Sequence, residues 1–463
     1  MTEQLKLKLN DSKATRWGAL VIVAFTMMAA YYVNDVVAPL KTMLETDLAW
    51  SSTDFGFFTG GYSFLNVFFL MLIWGGLILD RFGIRFTGKL ATILMVGGTA
   101  LEYYAMTGLA GADATLFGIN EIFGYKTGVF VAFAGYSIFG VGAEVAGITV
   151  SKIIAKWFKG KELATAMGVQ VALARIGSQA GYAVAIPLAR AFGISTPVLL
   201  GLVLLLGGMI AFFVFTVMDK KLDKQMEAAA IAAGTEDEEE KFSFKDVKNI
   251  LVNPGFWLIA LLCVLFYSCV FPFQKFASEL MIIKYGINEN VAGTFAGLPA
   301  LGALILTPVF GGFIDKRGKS ASIMLLGSAM LICVHFIYAI PDINYWLVAI
   351  VLMIILGIAF SLVPSAMWPA VAKIFPVSQL GTAYALIFFI QNIGLWGIPT
   401  LIGWVLDAYC ISGKKPDGTN MYDYTVPMCI FTSIACLSLI VALLLKKADK
   451  KYGYKLEEPN IQK

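Results

Sequence analysis

Apolar runs of about 20 residues recur along the whole chain, and a helix of that length, rising about 1.5 Å per residue, covers the roughly 30 Å hydrocarbon core of a bilayer. In lipid the backbone must satisfy its own hydrogen bonds, so runs this long and apolar are read as spanning helices. Of the 463 residues, 59% are hydrophobic and 14% charged, well below the roughly 25% charged of a soluble domain. Cutting at charged or turn-rich breaks predicts an all-α membrane protein of twelve spans. They fall at 17–40, 53–79, 87–108, 127–151, 164–192, 194–217, 254–283, 291–314, 320–340, 345–372, 378–407 and 423–445. The expected organisation is a six-helix bundle at 1–217, a linker at 218–250, and a second six-helix bundle with a tail at 251–463. The acidic run Glu236 to Glu240 suits a solvated linker.

Lys and Arg orient the chain. With the N-terminus inside, 27 of the 35 fall on inner segments and six outside, with Arg175 and Lys275 left within spans. By the positive-inside rule both termini are cytoplasmic. The first apolar run is too long for a signal-peptide core and is expected to be retained. A formal charge of +4 does not imply nucleic acid, because the basic residues are spread over short loops rather than gathered in one patch. The six cysteines form no CxxC pair, and all but Cys410 lie within apolar runs. There they act as small hydrophobes, so neither metal nor disulfide is expected. No GxSxG, HExxH or P-loop occurs, so no enzyme and no cofactor are expected.

An internal repeat supports the six-and-six division. Gly76-Leu-Ile-Leu-Asp80-Arg81-Phe-Gly83-Ile-Arg85 follows the second span, and Gly311-Gly-Phe-Ile-Asp315-Lys316-Arg-Gly318-Lys319 follows the eighth. One Asp-Arg-x-Gly is only a good polar turn. Two at equivalent positions resemble the signature loop of the major facilitator superfamily, which implies a gating role for Asp80, Arg81, Arg85 and Asp315. The alternative is that these loops only anchor the helix ends.

Ionisable groups inside a bilayer are costly and usually face a cavity. Glu144 lies about 12 Å, and Arg175 about 16 Å, from the inner face on consecutive spans. The two are expected either to form a structural ion pair or to hold the ammonium and carboxylate of a zwitterion. Tyr31 and Asp35 share a face of the first span, toward its outer end, and Tyr62, Ser63 and Asn66 a face of the second. Tyr267, Gln274 and Lys275 surround Pro272 in the seventh, where Lys275 is expected to snorkel to the outer interface. Trp368 between Pro364 and Pro369 is either an interfacial anchor or a stacking platform. Tyr384, Gln391 and Asn392 offer hydrogen bonds from the eleventh span, and His335, the only histidine, is read as a packing residue.

Seven stretches carry a narrower likeness: Asp80-Arg-Phe-Gly-Ile-Arg85, Glu144 among its glycines, Trp157-Phe-Lys-Gly-Lys-Glu-Leu163, Ala174-Arg175-Ile-Gly-Ser178, Val270-Phe-Pro-Phe273, Met367-Trp368-Pro369, and Leu380-Gly-Thr-Ala-Tyr384 with Gln391-Asn392. Together they resemble the lysosomal dipeptide uniporters of the major facilitator superfamily. The resemblance implies a small zwitterionic substrate, most simply a dipeptide, moved by alternating access. It assigns the peptide amino end to Glu144, the carboxylate to Arg175, and the cavity tryptophan to Trp368. Tyr31, Asp35, Tyr62, Asn66, Gln391 and Asn392 complete the expected site. The chain departs from that family in lacking an acidic-dileucine signal in its N-terminal tail and in having Lys275 after Val270-Phe-Pro-Phe273. A bacterial-type cytoplasmic membrane is therefore expected, with no obligate protein partner. A proton- or anion-coupled carrier of organic anions is the competing expectation, with Arg175 and Lys275 binding carboxylates and Glu144 taking the proton. A receptor of transporter shape, binding tightly without flux, is a third.

Overall fold

The computed structural model describes residues 8–111, 114–158, 161–233 and 244–460. The acidic run at 236–240 lies outside them. The chain is built from helices whose ends are written locally. Ser12 accepts the Thr15 N–H at the start of α1 (Lys13–Val36), which leads through a 3-10 turn into the short α2 (Lys41–Asp47). Ser51 and Asp54 form a reciprocal capping box at the start of α3 (Ser52–Phe68), with Oγ and Oδ2 accepting at 3.0 and 2.9 Å. α3 gives way to α4 (Met71–Thr107) at Leu70, whose φ is 54°, and the two are bent by 58°. α4 is itself two rods joined at Gly83, where φ is 74°. The expected spans 53–79 and 87–108 are therefore α3 with the first rod of α4, and the second rod.

The hairpin β1–β2 (Glu121–Ile122, Tyr125–Lys126) precedes α5 (Thr127–Trp157), α6 (Leu163–Phe192) and α7 (Thr196–Ala233). After the linker come α8 (Phe244–Val252), α9 (Pro254–Tyr285), α10 (Glu289–Ala296), α11 (Leu298–Arg317), α12 (Ser320–Ala339) and α13 (Trp346–Ile374). The chain closes with α14 (Val377–Tyr409), the hairpin β3–β4 (Ile411–Lys414, Asn420–Tyr422) and α15 (Thr425–Tyr452). Asn253 caps α9, its side chain accepting the Gly255 N–H at 2.8 Å, with Pro254 in the first turn where its missing N–H does no harm.

Among the described residues, nine helical segments are long and apolar enough to cross a membrane alone, and the bent pair α3 and α4 passes when taken together. α6 is not among the nine. It carries Gln170, Arg175, Ser178 and Gln179 within its length, which lowers its hydropathy. Large apolar side chains stand exposed on outer faces, as on α7, where Val203, Ile210, Val214 and Val217 are more than half exposed. Only a nonpolar solvent leaves such a surface without penalty.

Helices α1 to α7 pack chiefly among themselves through α4 on α5, α1 on α6 and α1 on α7. α9 to α15 do the same through α12 on α15, α11 on α13 and α9 on α14. The two halves meet where α3 lies along α14 and where α6 meets α10 and α11. The N-terminal turn at Leu9–Asp11 and the C-terminal tail lie at one end, which we call the terminal face. There the N–H of Leu9 reaches Gln225 of α7, Lys161 pairs with Asp11, and Lys319 and Ser320 donate backbone N–H groups to Glu457 and Leu456.

Candidate functional site

Between the halves lies a cavity of about 700 Å³, within the usual range for small-molecule sites. Two glycines draw in the helices that line it. A Cβ on Gly140 of α5 would stand 2.0 Å from the Tyr62 carbonyl oxygen, and one on Gly177 of α6 would stand 2.1 Å from that of Met28. Only glycine permits such approach. The first contact sets α5 against α3, so that Glu144 faces Tyr62, whose hydroxyl donates to Oε1 at 2.9 Å. The second sets α6 against α1, so that Arg175 reaches Tyr31. Its guanidinium carbon lies 5.6 Å from the Tyr31 ring centre and 4.9 Å from that of Phe360.

Glu144 and Arg175 both line the cavity, but they do not pair with each other. Among the described residues Arg175 makes no ion pair, so the alternative of a closed structural pair is not what this conformation holds. The two rings stand within cation–π distance of the guanidinium, and its N–H groups, which can bind a carboxylate bidentately, meet no carboxylate among the described residues.

Tyr31, Tyr62, Trp368 and Gln391 also line the cavity. Trp368 stacks on Phe388 at 4.8 Å, and the Tyr384 hydroxyl donates to its carbonyl at 3.1 Å. Trp368 thus faces the cavity rather than the outer surface of the bundle. Gln391 accepts from the Cys263 thiol at 3.3 Å. Three expected site residues are not among those that line the cavity. Asn66 is buried with no hydrogen-bond partner among the described residues, Asn392 donates to the Phe388 carbonyl of its own helix, and Asp35 is engaged by Lys275 and Ser178.

Lys275 overturns its expectation most clearly. Rather than snorkelling outward, it lines the cavity and crosses to the other half. Its Nζ donates to the Asn34 carbonyl at 2.6 Å, to Asp35 Oδ1 at 3.2 Å and to the Tyr136 hydroxyl at 3.4 Å. The position of Pro272 inside α9, one turn before it, gave no hint of a partner on α1.

His335 is fully buried between Phe273 and Phe431, with Nε2 at 3.0 Å from the Cys269 carbonyl. The two signature loops differ. Asp80 accepts from Lys152 at 3.1 Å, and Arg85 from α4 reaches Asp223 of α7 at 2.7 Å, beside Lys156, which binds Asp219 and Asp223. Arg81 lies over the ring of Phe82. Asp315 instead accepts from Asn460 of the tail at 2.8 Å.

Two carboxylates within the expected spans escaped the sequence reading. Glu102 of α4 is wholly buried, and neither of its oxygens has a hydrogen-bond partner among the described residues. Glu279 of α9 is buried among cations at the end opposite the terminal face. Their signal was available, a Glu inside an apolar run, but each lies next to tyrosines or near a helix end and reads as interfacial.

The cavity reaches toward the terminal face at Ser151 and Val171, both exposed, and toward the opposite end at Asn34 and Lys275, beyond which Lys41, Glu45 and Glu279 lie buried. The profile of the Major Facilitator Superfamily matches residues 20–399. The chain is 28% identical over 450 residues to the lysosomal dipeptide transporter MFSD1 of Homo sapiens, an alignment covering 94% of this chain and 87% of that protein. Among solved structures it is similar to a peptide transporter POT variant in complex with sulfate, with TM-score 0.68, 14% identity and 96% of each chain covered. It is also similar to a bacterial homolog of the human lysosomal transporter Spinster in an inward-facing and occupied conformation. There the TM-score is 0.66 at 14% identity, over 95% of this chain and 98% of that one. At such identities these structures speak to the fold alone.

Proposed function

The chain belongs to the Major Facilitator Superfamily, and we propose that this multi-pass membrane transporter carries small zwitterions, dipeptides first among them, through its central cavity by alternating access. The observation that carries the reading is that one carboxylate and one guanidinium, Glu144 and Arg175, face the same cavity without neutralising each other. A zwitterion supplies the missing partner to each: its ammonium to Glu144, and its carboxylate to the N–H edge of Arg175. Aromatic groups from the second half, Trp368 and Phe388 among them, offer surface to the side chains. Tyr31, Tyr62 and Gln391 supply further polar contacts, while Asp35, Asn66 and Asn392 support the wall from behind.

In this reading the bundles are 1–217 and 251–463, joined by the linker at 218–250, with twelve spans and both termini in the cytoplasm of a cell whose cytoplasmic membrane holds the protein. Asp80, Arg81, Arg85 and Asp315 brace the terminal face as the halves rock. The similarity to a transporter whose name states dipeptides supports this cargo. The organic-anion alternative rests on Arg175, with Lys275 as a further cation and Glu144 as proton site; it draws less support because Lys275 is already held by Asp35.

Thermal stabilisation of the purified protein tests the proposal, because a ligand that binds only the folded state raises its melting temperature. Dipeptides should stabilise, free amino acids less so, and the effect should vanish in Arg175→Ala. Stabilisation by dicarboxylates alone would replace the zwitterion with the anion reading.

A further inference from the structure

Opposite the terminal face, four charged side chains from both halves form one buried cluster. Lys41 of α2 donates to Glu45 and to Glu279 of α9, both at 2.5 Å. Lys415, carried by the β3–β4 hairpin, lies 3.3 Å from Glu45 and 3.5 Å from Glu279. The Tyr424 hydroxyl donates to Glu279, and Ser52 Oγ donates to Glu45 at 3.2 Å. Lys41 and Glu279 are each 1% exposed. Beside the cluster Asp407 of α14 accepts the Ser52 and Thr53 N–H groups at 3.3 and 2.6 Å, so the second half also caps the first turn of α3.

We propose that Lys41, Glu45, Glu279 and Lys415 are the latch that seals the cavity on this side and that must part for it to open there. Two of the ion pairs, Lys41 with Glu279 and Lys415 with Glu45, cross from one half to the other. On the terminal face the ion pairs of Arg85, Lys152 and Lys156 stay inside one half. Two buried cations and two buried anions are a poor substitute for apolar packing in a contact that never opens, because desolvation offsets their attraction. In a contact that opens, the same groups gain: water rehydrates them when the halves part, whereas an apolar seam would be exposed at full cost. The charged seam therefore lets the closed and open states lie close in free energy, as alternating access requires.

The latch rests on the alternating-access reading but not on the identity of the cargo, and the test separates the two. In a cysteine-free background, spin labels at Thr46→Cys on α2 and Ser412→Cys on the hairpin, both exposed, report the distance between the halves by double electron–electron resonance in lipid nanodiscs, without substrate. The parent should give one short distance. Glu279→Gln should add a longer component, raising the open-to-closed ratio about ten-fold or more, as a buried pair losing one partner implies. The exchange of all four charges, Lys41→Glu, Glu45→Lys, Glu279→Lys and Lys415→Glu, keeps every contact between opposite signs and should restore the short distance. Lys415→Ala, on the hairpin, gives a second reading should Glu279→Gln not fold. An unchanged distribution in whichever of Glu279→Gln and Lys415→Ala folds, or an exchange variant as open as Glu279→Gln, would overturn the latch and leave the cluster a packing feature.

Discussion

Helices α1 to α7 bring Tyr31, Tyr62, Glu144 and Arg175 to the cavity, while α9 to α15 bring Phe271, Phe360, Trp368 and Phe388. The one charge from the second half, Lys275, is spent on Asp35 of the first. Their signature loops diverge as well. Asp80 and Arg85 are tied to helices of their own half by ion pairs, whereas Asp315 is tied to the tail by a neutral amide. Two halves of matching architecture thus line the cavity differently: the first brings charge that no partner neutralises, the second mainly aromatic surface.

The largest expected effect falls on the charged half. Arg175→Ala and Glu144→Gln should each lower dipeptide uptake in proteoliposomes at least about a hundred-fold, which is about 2.7 kcal/mol, with folded protein retained. Trp368→Ala should lower it only about ten-fold, since an aromatic stacking loss is worth roughly 0.5–1.5 kcal/mol beyond its area. If Trp368→Ala proves as damaging as Arg175→Ala, the division between the halves fails.

Lys275→Met comes next. It leaves Asp35 buried with the neutral donors Asn34 and Ser178 but no cation, and breaking a buried pair by removing one partner costs about 3–5 kcal/mol. A lowered melting temperature, relieved in the double variant with Asp35→Asn, is the expected outcome. Free-standing loss of uptake with no change in melting would instead make Lys275 a second cargo cation and blur the contrast.

The loops should differ in the same sense but less. Arg85→Ala, removing a partly exposed ion pair, should slow uptake by a few-fold, consistent with about 1 kcal/mol. Asp315→Asn should change it less than two-fold, because an amide can still meet Asn460, at most a few tenths of a kcal/mol. The smallest effect concerns the terminal face. Hydrogen bonding from Arg16 holds the Glu162 carboxyl below its usual value. A lowered carboxylate adds stability above its unfolded pKa of about 4.3 and loses it as pH falls through the lower, folded value. Hydrogen exchange at residues 9–20 should therefore be slower, after correction for intrinsic rates, at pH 7 than at pH 3, and Glu162→Gln should shrink the difference, leaving the part carried by Asp11, whose carboxyl Lys161 also holds low.

The sequence reading located the helices well because lipid demands long apolar runs, and it located Glu144 and Arg175 because charge within such runs is rare. It missed where other charges go. Lys275 looked like an interfacial cation because its partner stands 240 positions away on α1, and Glu279 went unremarked because Lys41 and Lys415 stand 238 and 136 positions away. Asn66 and Asn392 were assigned to the cavity by residue type, yet half a helical turn decides whether an amide faces ligand or neighbour. The exposed β3–β4 hairpin carried no signal for the cation it lays over the cluster.

By itself, then, the order of residues determined the solvent of the chain, the repeated loops and the scarcity of intramembrane charge, all of which depend on composition within a window. Which charges are paired, which line the cavity without a charged partner, and which gather between the two halves were decided by the tertiary structure alone. Those outcomes depend on helices far apart in sequence approaching within a few ångströms, and desolvated charges are sensitive to that spacing above all.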